Sequence, residues 1–217
     1  MRFWLVVTLL TIFYTKQTIQ NSTGRLKVSV FYESLCPDSV RFITRQLYPA
    51  YEKIGSSLLV DFVPYGKATH NKENGKWIFQ CQHGANECWG NKAQACGIAE
   101  NKGQDKTVNF VKCVMSEPYP ANEDAINKCA PELDVPSQQI LECSESVKGD
   151  ELLVNHGERT HAVEPKITFI PTIVFNDKYD AQLQSGALSD FLWTACSLFT
   201  DKPSGCPSKQ SFFMDLS

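Results

Sequence analysis

Residues 26–64, LKVSVFYESLCPDSVRFITRQLYPAYEKIGSSLLVDFVP, contain the pattern that decides the fold. Leu26–Tyr32 alternates at first and then becomes fully apolar, which predicts a strand entering a buried sheet. Apolar residues then recur at steps of three and four, as on one helix face, at Val40, Ile43, Leu47, Tyr51 and Ile54. Leu58–Val63 is a second apolar run, closed by Pro64. Strand, helix and strand in this order predict two parallel strands connected by a crossing helix.

Cys36 follows the first strand after a short loop and directly precedes the helix, with Pro37 in the first helical turn. A helix N-terminus presents unpaired N–H groups and the positive end of the helix dipole, and both stabilise a thiolate. The thiolate is the species that attacks disulfides. The Asp38 carboxylate acts in the opposite direction, because it disfavours a second negative charge nearby. Taken alone, the position is equally compatible with an ordinary structural disulfide.

The N-terminus indicates the cellular compartment. Arg2 precedes the apolar run Phe3–Tyr14, which is too short for a membrane-spanning helix of about 20 residues. A charged start, an apolar middle and a polar exit predict a secretory signal peptide over residues 1–20, cleaved somewhere between Thr15 and Gly24. We therefore expect a soluble protein in an oxidising lumen or outside the cell, without membrane contact.

Chain length, charge and the remaining composition say little more about the class of protein. Roughly 195 residues stay after cleavage, which suffices for one core with a large insertion. The net charge is −3 and both signs are mixed, so nothing indicates a nucleic-acid partner. Asn21-Ser22-Thr23 is an N-x-[ST] sequon, which predicts glycosylation at Asn21 in a secreted chain.

The cysteines are the most informative residue type. There are nine: Cys36, Cys81, Cys88, Cys96, Cys113, Cys129, Cys143, Cys196 and Cys206. Most should be paired in an oxidising compartment, and the odd number leaves at least one free, reactive or paired between chains. The stretch from Tyr65 to Pro165 has weak apolar patterning, so we expect disulfides to constrain it. Helices are predicted there at Thr107–Met115, Ala121–Cys129 and Pro136–Val147.

A late proline changes the interpretation of Cys36. The apolar run Ile167–Phe175 predicts a strand that contains Pro171, and a closing helix follows with Leu188, Phe191, Leu192, Ala195, Cys196 and Phe199 on one face. A strand–cysteine–helix unit followed by a strand with a proline is typical of a thioredoxin-type site, where a cis-proline loop packs beside the reactive sulfur. We therefore predict a cis bond before Pro171, with a plain edge-strand proline as the alternative. Residues 201–217 should form a loose tail apart from Cys206.

Residues 81–96, CQHGANECWGNKAQAC, resemble the C-Q-H-G-x-x-E-C-x-x-N-x-x-x-x-C motif of the gamma-interferon-inducible lysosomal thiol reductase family. The resemblance extends to the front cysteine, the late proline and the closing helix. It implies an α/β fold, with a thioredoxin-like core over residues 25–200 and a disulfide-rich, mainly helical insertion at about 65–166. It also implies the reduction of protein disulfides, in an endosomal or lysosomal lumen or in the extracellular space.

One departure from the family pattern concerns the site itself. The family's active site is usually C-x-x-C, whereas this chain has Cys36-Pro37-Asp38-Ser39. Ser39 can donate a hydrogen bond to the Cys36 thiolate, but it cannot displace a thiol. The preferred hypothesis is a thiol–disulfide oxidoreductase with the catalytic residues Cys36, Ser39 and Pro171. Its substrates would be disulfide-containing proteins and its reductants small thiols, and no metal or organic cofactor is expected.

Several alternatives remain open at this stage. The chain could be a secreted binding module that keeps the fold, or a structural protein in which Cys36 links two chains, so we expect a monomer or a disulfide-linked dimer. Cys81, His83, Cys88 and Cys96 could form a zinc site, although secreted thiols more often become disulfides. His83 could serve Cys36 as an acid–base partner, but a structural role in its turn is preferred. Eight paired cysteines allow 105 connectivities.

Overall fold

A three-stranded sheet lies at the centre of the computed structural model, which describes residues 24–208. The strand order is β2-β1-β5. Strand β1 (Leu26–Tyr32) pairs in parallel with β2 (Leu58–Pro64) and antiparallel with β5 (Thr172–Phe175). The parallel pairing of β1 with β2 confirms the prediction from the strand–helix–strand pattern. The predicted signal peptide and the sequon at Asn21 lie outside the described residues.

A second, two-stranded sheet was missed by the sequence analysis. Strand β3 (Thr69–Glu73) and β4 (Lys76–Gln80) form an antiparallel hairpin. The THNKE sequence of β3 contains no apolar residue, so hydrophobic patterning could not detect it. The hairpin is attached to a later helix through His70, whose Nδ1 lies 2.6 Å from the Tyr65 hydroxyl and whose Nε2 lies 3.2 Å from Glu158.

The described residues contain nine α-helices. Their bounds are α1 Pro37–Phe42, α2 Tyr48–Ile54, α3 Ala85–Ala99, α4 Gln104–Met115, α5 Glu123–Cys129, α6 Ser137–Ser144, α7 Val147–His161, α8 Ala181–Ser189 and α9 Phe191–Ser197. A π-helical segment, Ile43–Leu47, joins α1 to α2. Helices α4, α5 and α6 lie where the sequence predicted helices. Within residues 24–208, none of the helices combines the length and the apolar character that a bilayer crossing requires.

The helices of the predicted insertion share a core with the sheet. Apolar side chains from the sheet, from α1 and α2, from α4 and from α9 form one buried cluster; its largest members include Tyr32, Phe42, Phe110, Met115 and Phe191. The Tyr32 hydroxyl donates a hydrogen bond of 2.7 Å to Gln94 on α3, which ties the central strand to that helix. The borders of the insertion at about 65 and 166 stay a prediction.

Two predicted elements differ from the structure near the C-terminus. Strand β5 begins only at Thr172, so the prediction of a strand from Ile167 was wrong for its first half. Pro171 lacks the N–H that a strand donates, and the pairing with β1 extends only as far as Thr172. The single closing helix was also wrong: Asp190 accepts a bond from the Trp193 N–H and begins α9 as a separate helix after α8.

Four disulfides connect eight of the nine cysteines. The pairs are Cys81–Cys88, Cys96–Cys143, Cys113–Cys129 and Cys196–Cys206. The first three join elements of the predicted insertion, as expected from its weak apolar patterning. The fourth attaches the segment after α9 to that helix. The remaining part of the predicted tail, residues 209–217, lies outside the described residues.

The disulfides should differ in their contributions to stability because they close loops of different length. Cys96 and Cys143 are 47 positions apart, whereas Cys196 and Cys206 are 10 apart. A longer loop restricts the unfolded chain more, so replacing both Cys96 and Cys143 by alanine should lower the free energy of unfolding by about 4 kcal/mol, against about 3 kcal/mol for the other pair. Urea unfolding without reductant measures both. The reverse order would contradict this loop-length account.

Helix α7 contains a buried histidine. His156 is 7% exposed, and its Nδ1 lies 3.5 Å from a guanidinium nitrogen of Arg159. Burial, assisted by the positive charge of Arg159, lowers the pKa of His156 from 6.5 to about 4. Between about pH 4 and 6.5 the folded protein therefore keeps this ring neutral, whereas the same ring in the unfolded chain takes up a proton.

Acidification should consequently destabilise the protein through His156. Between about pH 6.5 and 4 the unfolded state binds the extra proton, so the free energy of unfolding falls as the pH falls, by about 2 kcal/mol at pH 5. His156→Gln removes this titration and should reduce the fall in the free energy of unfolding between pH 7 and pH 5. Urea unfolding at the two pH values measures this difference. The matched control is His161→Gln, at the exposed end of the same helix. An equally steep acid loss in His156→Gln would contradict the assignment.

Candidate active site

Cys36 is the one unpaired cysteine in residues 24–208, a range that contains all nine. It occupies the N-cap position of α1 and is 8% exposed. Its Sγ lies 3.7 Å from the carbonyl oxygen of Ile170, to which the thiol donates. The Ile170–Pro171 peptide is cis, which confirms the predicted bond geometry. The fold therefore brings the free sulfur and the proline loop together from opposite ends of the chain.

Hydrogen bonds hold both sides of this contact. The Cys36 N–H donates to the Glu33 carbonyl oxygen at 3.4 Å, and the Cys36 carbonyl oxygen accepts from Val40 at 3.0 Å. On the other side, Gln184 of α8 donates to the Pro171 carbonyl oxygen at 2.9 Å and accepts from the Ile173 N–H at 2.7 Å. Gln184 was missed by the sequence analysis, since no local pattern marks a helix residue that supports a distant loop.

Ser39 occupies the position of the usual second cysteine and is fully buried. Its Oγ accepts a hydrogen bond of 3.3 Å from the Glu33 N–H. Glu33, rather than the Cys36 sulfur, is thus the partner that the structure gives to this hydroxyl. Since Glu33 also accepts from the Cys36 N–H, its main chain contacts both ends of the Cys36–Ser39 motif.

Asp38 forms an ion pair that the sequence analysis did not include. Its Oδ1 lies 2.6 Å from Nη2 of Arg41, three positions later on α1. The carboxylate that would oppose a Cys36 thiolate is therefore accompanied by a positive charge on the same helix. Both side chains are substantially exposed, so the pair acts through local charge balance and contributes little to stability.

A charged cluster lies next to this motif and includes two residues of the family-like sequence. His83 Nδ1 lies 2.5 Å from Oε2 of Glu87 and 3.5 Å from Oε2 of Glu33. The His83 N–H also donates to Oε1 of Glu87 at 3.1 Å. The Glu33 and Glu87 carboxylates are buried, whereas a third of the His83 side chain is exposed. These contacts place the His83 ring against two carboxylates, and the structural role of its turn stays a prediction.

The Glu33 carboxylate fits into a space that a glycine leaves open. A Cβ on Gly66 would lie 2.1 Å from Cγ of Glu33, and Gly66 has a φ of +63°, so a side chain is excluded there on both counts. The next residue, Lys67, donates its N–H to Oε1 of Glu33 at 2.7 Å. Burial raises the pKa of Glu33 above its ordinary value and Glu87 adds to this rise, while the Lys67 N–H and His83 oppose it.

The zinc site considered for the cysteine motif does not form. Cys81 pairs with Cys88, and Cys96 pairs with Cys143, so their sulfurs are not available as thiolate ligands. Two other groups in the described residues bring possible metal ligands within 4.8 Å of one another. One contains the disulfide sulfurs of Cys113 and Cys129 with Glu117, and the other is the Glu33–His83–Glu87 cluster.

A surface groove of about 670 Å³ opens beside Cys36. Its wall includes Leu35 and Pro37, the two residues that flank the cysteine, together with Arg41 and Arg45. Phe169, which precedes Ile170 and Pro171 in the chain, is an exposed apolar side chain. The surface next to the buried cysteine in the chain is therefore concave on the Leu35 and Pro37 side.

A free cysteine at a strand–helix turn, facing a cis-proline loop, defines the chain as a thioredoxin-like protein. Among solved structures, a single-substitution variant of Pseudomonas aeruginosa DsbA matches 82% of this chain and 88% of its own, with a TM-score of 0.50 and 15% sequence identity. At this identity, the likeness supports the fold alone. It agrees with the predicted α/β, thioredoxin-like fold class.

Sequence relatives identify the family. Residues 27–133 match the family model described as gamma interferon inducible lysosomal thiol reductase (GILT). The gamma-interferon-inducible lysosomal thiol reductase-like protein of Anopheles gambiae is 35% identical over 195 residues, covering 84% of this chain and 80% of the relative. The gamma-interferon-inducible lysosomal thiol reductase of Mus musculus is 31% identical over 189 residues, covering 84% and 72%. The chain belongs to the GILT family, as the motif at residues 81–96 predicted.

Proposed function

We propose that this protein is a thiol–disulfide oxidoreductase that reduces protein disulfides through a single nucleophile, Cys36, with an external thiol completing the reaction. The observation that carries the proposal is the free Cys36 sulfur 3.7 Å from the Ile170 carbonyl oxygen, next to cis-Pro171. Membership in a family named for thiol reductase activity supports the same reaction class. The monothiol mechanism is our inference from Ser39 and from the unpaired state of Cys36.

The proposed reaction begins at the Cys36 thiolate. It attacks one sulfur of a substrate disulfide, so a Cys36–substrate bond forms and the other substrate sulfur leaves as a thiolate. A small thiolate then attacks Cys36 Sγ, which releases the second substrate thiolate and leaves the small molecule on Cys36. A second small thiolate attacks that disulfide and restores Cys36. Two small thiols are thus oxidised to one disulfide while one protein disulfide is reduced, and the electrons balance.

The surroundings of Cys36 support a polypeptide as substrate. Leu35 and Pro37, the chain neighbours of Cys36, line a surface groove, and the Ile170 carbonyl oxygen before cis-Pro171 contacts the sulfur. An extended chain could lie across the loop and place its disulfide near Sγ. We propose an endosomal or lysosomal lumen, or the extracellular space, as the location. The first of these is supported by the mouse relative, which is named as a lysosomal thiol reductase.

The proposal is tested with a disulfide-containing protein substrate and increasing free cysteine. Mixed disulfides between Cys36 and the substrate should accumulate at low cysteine, because the other eight cysteines are paired in the described part of the chain. Substrate reduction should rise in proportion to added cysteine. Non-reducing gels and mass spectrometry measure the complexes, and a thiol reagent measures turnover.

The same experiment distinguishes the alternative functions. A binding module would form stable complexes without turnover at any cysteine concentration. A structural protein linked through Cys36 would run as a dimer on the gel and bind no substrate covalently. Either result would replace the proposed enzyme function.

A further inference from the structure

We propose that Glu33, His83 and Glu87 form a binding site for one divalent transition-metal ion, with zinc as the best-suited occupant. The site would use one carboxylate oxygen of each glutamate and one ring nitrogen of His83, three atoms that lie within 4.8 Å of one another. It lies beside the Cys36–Ser39 motif but contains no sulfur. The proposal is independent of the disulfide chemistry at Cys36.

The polar atoms of the cluster are incompletely partnered. Glu33 is fully buried, and its Oε1 accepts from the Lys67 N–H, while its Oε2 has no hydrogen-bond partner in the described structure. This orphan oxygen lies 3.5 Å from Nδ1 of His83. A buried carboxylate oxygen without a partner is costly, so its position beside the His83 imidazole favours a cation at this point.

The charge balance of the cluster also favours a cation. Two buried carboxylates face one imidazole, and the Lys67 ammonium is the further positive group that acts on Glu33. With both carboxylates ionised and the imidazole protonated, the three clustered side chains carry a net charge of −1, and the Lys67 ammonium that opposes it belongs to an exposed residue. A divalent ion would neutralise both carboxylates at once, which buried charges require.

The geometry suits a tetrahedral ion with one open position. Ligand atoms around zinc at about 2.1 Å lie about 3.4 Å apart, close to the 3.5 Å between Glu33 Oε2 and His83 Nδ1. The 2.5 Å separation between His83 and Glu87 would have to open by about 1 Å, since a metal would replace the proton there. A third of the His83 side chain is exposed, which leaves that side of the site open to a water ligand.

A metal at this position would stabilise the loop that precedes Cys36. Glu33 contacts the Cys36 N–H through its carbonyl oxygen and the Ser39 hydroxyl through its N–H. Binding would tie the Glu33 side chain to Glu87 on α3, and thus connect the loop before Cys36 to the first turn of that helix. The fold itself creates this connection, because the three ligands come from two separate segments of the chain.

The test is calorimetric titration of zinc chloride at pH 7 into the full chain carrying Cys36→Ser, so that the free thiol cannot bind zinc. We expect one zinc per chain and a loss of at least 100-fold in affinity in His83→Gln. His161→Gln, a histidine replacement outside the cluster, serves as the control and should bind like the parent. Cobalt provides a second measurement in the unmodified chain, because thiolate ligands produce charge-transfer bands that oxygen and nitrogen ligands do not.

Each outcome decides the proposal. Absence of binding at millimolar zinc would overturn it and leave a proton as the occupant of the cluster. Unchanged affinity in His83→Gln, a loss in His161→Gln alone, or thiolate bands with cobalt would also overturn it. Glu87→Gln, which keeps the volume of the side chain, should repeat the loss seen with His83→Gln. A circular dichroism spectrum identical to that of the parent confirms that each variant is folded.

Discussion

Cys36→Ala should abolish disulfide reduction, with a fall in kcat/KM of at least ~10³-fold. The sulfur is the atom that forms and breaks bonds in the proposed reaction, so nothing else in the site can replace it. The substitution should leave the fold intact, since the described contact of Sγ is a weak hydrogen bond to the Ile170 carbonyl oxygen. Initial rates with a protein disulfide substrate and a fixed small thiol, corrected for the thiol alone, measure the effect.

Thiol mapping provides the control for this variant. In the native parent protein, Cys36 should be the single readily alkylated cysteine, because the other eight are paired. The Cys36→Ala protein should show no free thiol and an unchanged unfolding midpoint. Alkylation at a second cysteine in the native parent, or activity in Cys36→Ala above the small-thiol background, would show that another sulfur carries the reaction.

Ser39→Cys should convert the protein into a dithiol reductase. A sulfur at this buried position would attack the Cys36–substrate disulfide within the same molecule, so trapped complexes should disappear. Release of substrate in a single turnover should become at least ~10²-fold faster and independent of added small thiol, since an intramolecular thiol acts at high effective concentration. Rapid quenching with acid, followed by non-reducing gels, measures the complexes over time.

Ser39→Ala is the matched control, because it removes the hydroxyl without adding a thiol. It should trap substrate as the parent does, although it loses the bond from the Glu33 N–H. Both variants should be assayed over a pH series, since Cys36 reacts as the thiolate. If Ser39→Cys neither clears the complexes nor speeds release at any pH, the binding-module function becomes the better account.

The Asp38–Arg41 pair bears on that outcome. From the sequence alone, Asp38 is a negative charge beside the nucleophile and a reason to expect slow chemistry. The structure adds a guanidinium at 2.6 Å, which offsets part of that charge. The partner lies three positions along the same helix, so helical spacing was sufficient to find it.

The central unit of the fold followed from local pattern. The alternation in Leu26–Tyr32 and the three-to-four spacing from Val40 to Ile54 predicted β1, the helix and the parallel β2. Strand β3 and the break at Asp190 were missed, for different reasons. The first has no apolar pattern, and the second depends on one capping side chain inside an otherwise continuous helical period.

The sequence predicted the cysteine and the proline of the candidate site, but not the hydrogen bonds and ionic contacts around them. Cys36 and Pro171 are marked by position and by residue chemistry, and the odd number of cysteines indicated a free thiol. Gln184, which fixes the proline loop, carries no such mark. The position of Glu33 against His83 likewise could not be predicted, because no rule of spacing relates residues on separate elements so far apart in the chain.

The sequence by itself determined the family, the reaction class that the family implies, and the replacement of the usual second cysteine by Ser39. It also made Cys36 the hypothesis for the reactive residue. Motifs and residue identities are local properties of the chain, so they can be read without the fold. Only the tertiary structure decided which cysteines pair, which carbonyl faces Cys36, and that Glu33, His83 and Glu87 meet in one cluster. These contacts join distant segments, and their partners are selected by packing in a shared core that no single stretch of sequence contains.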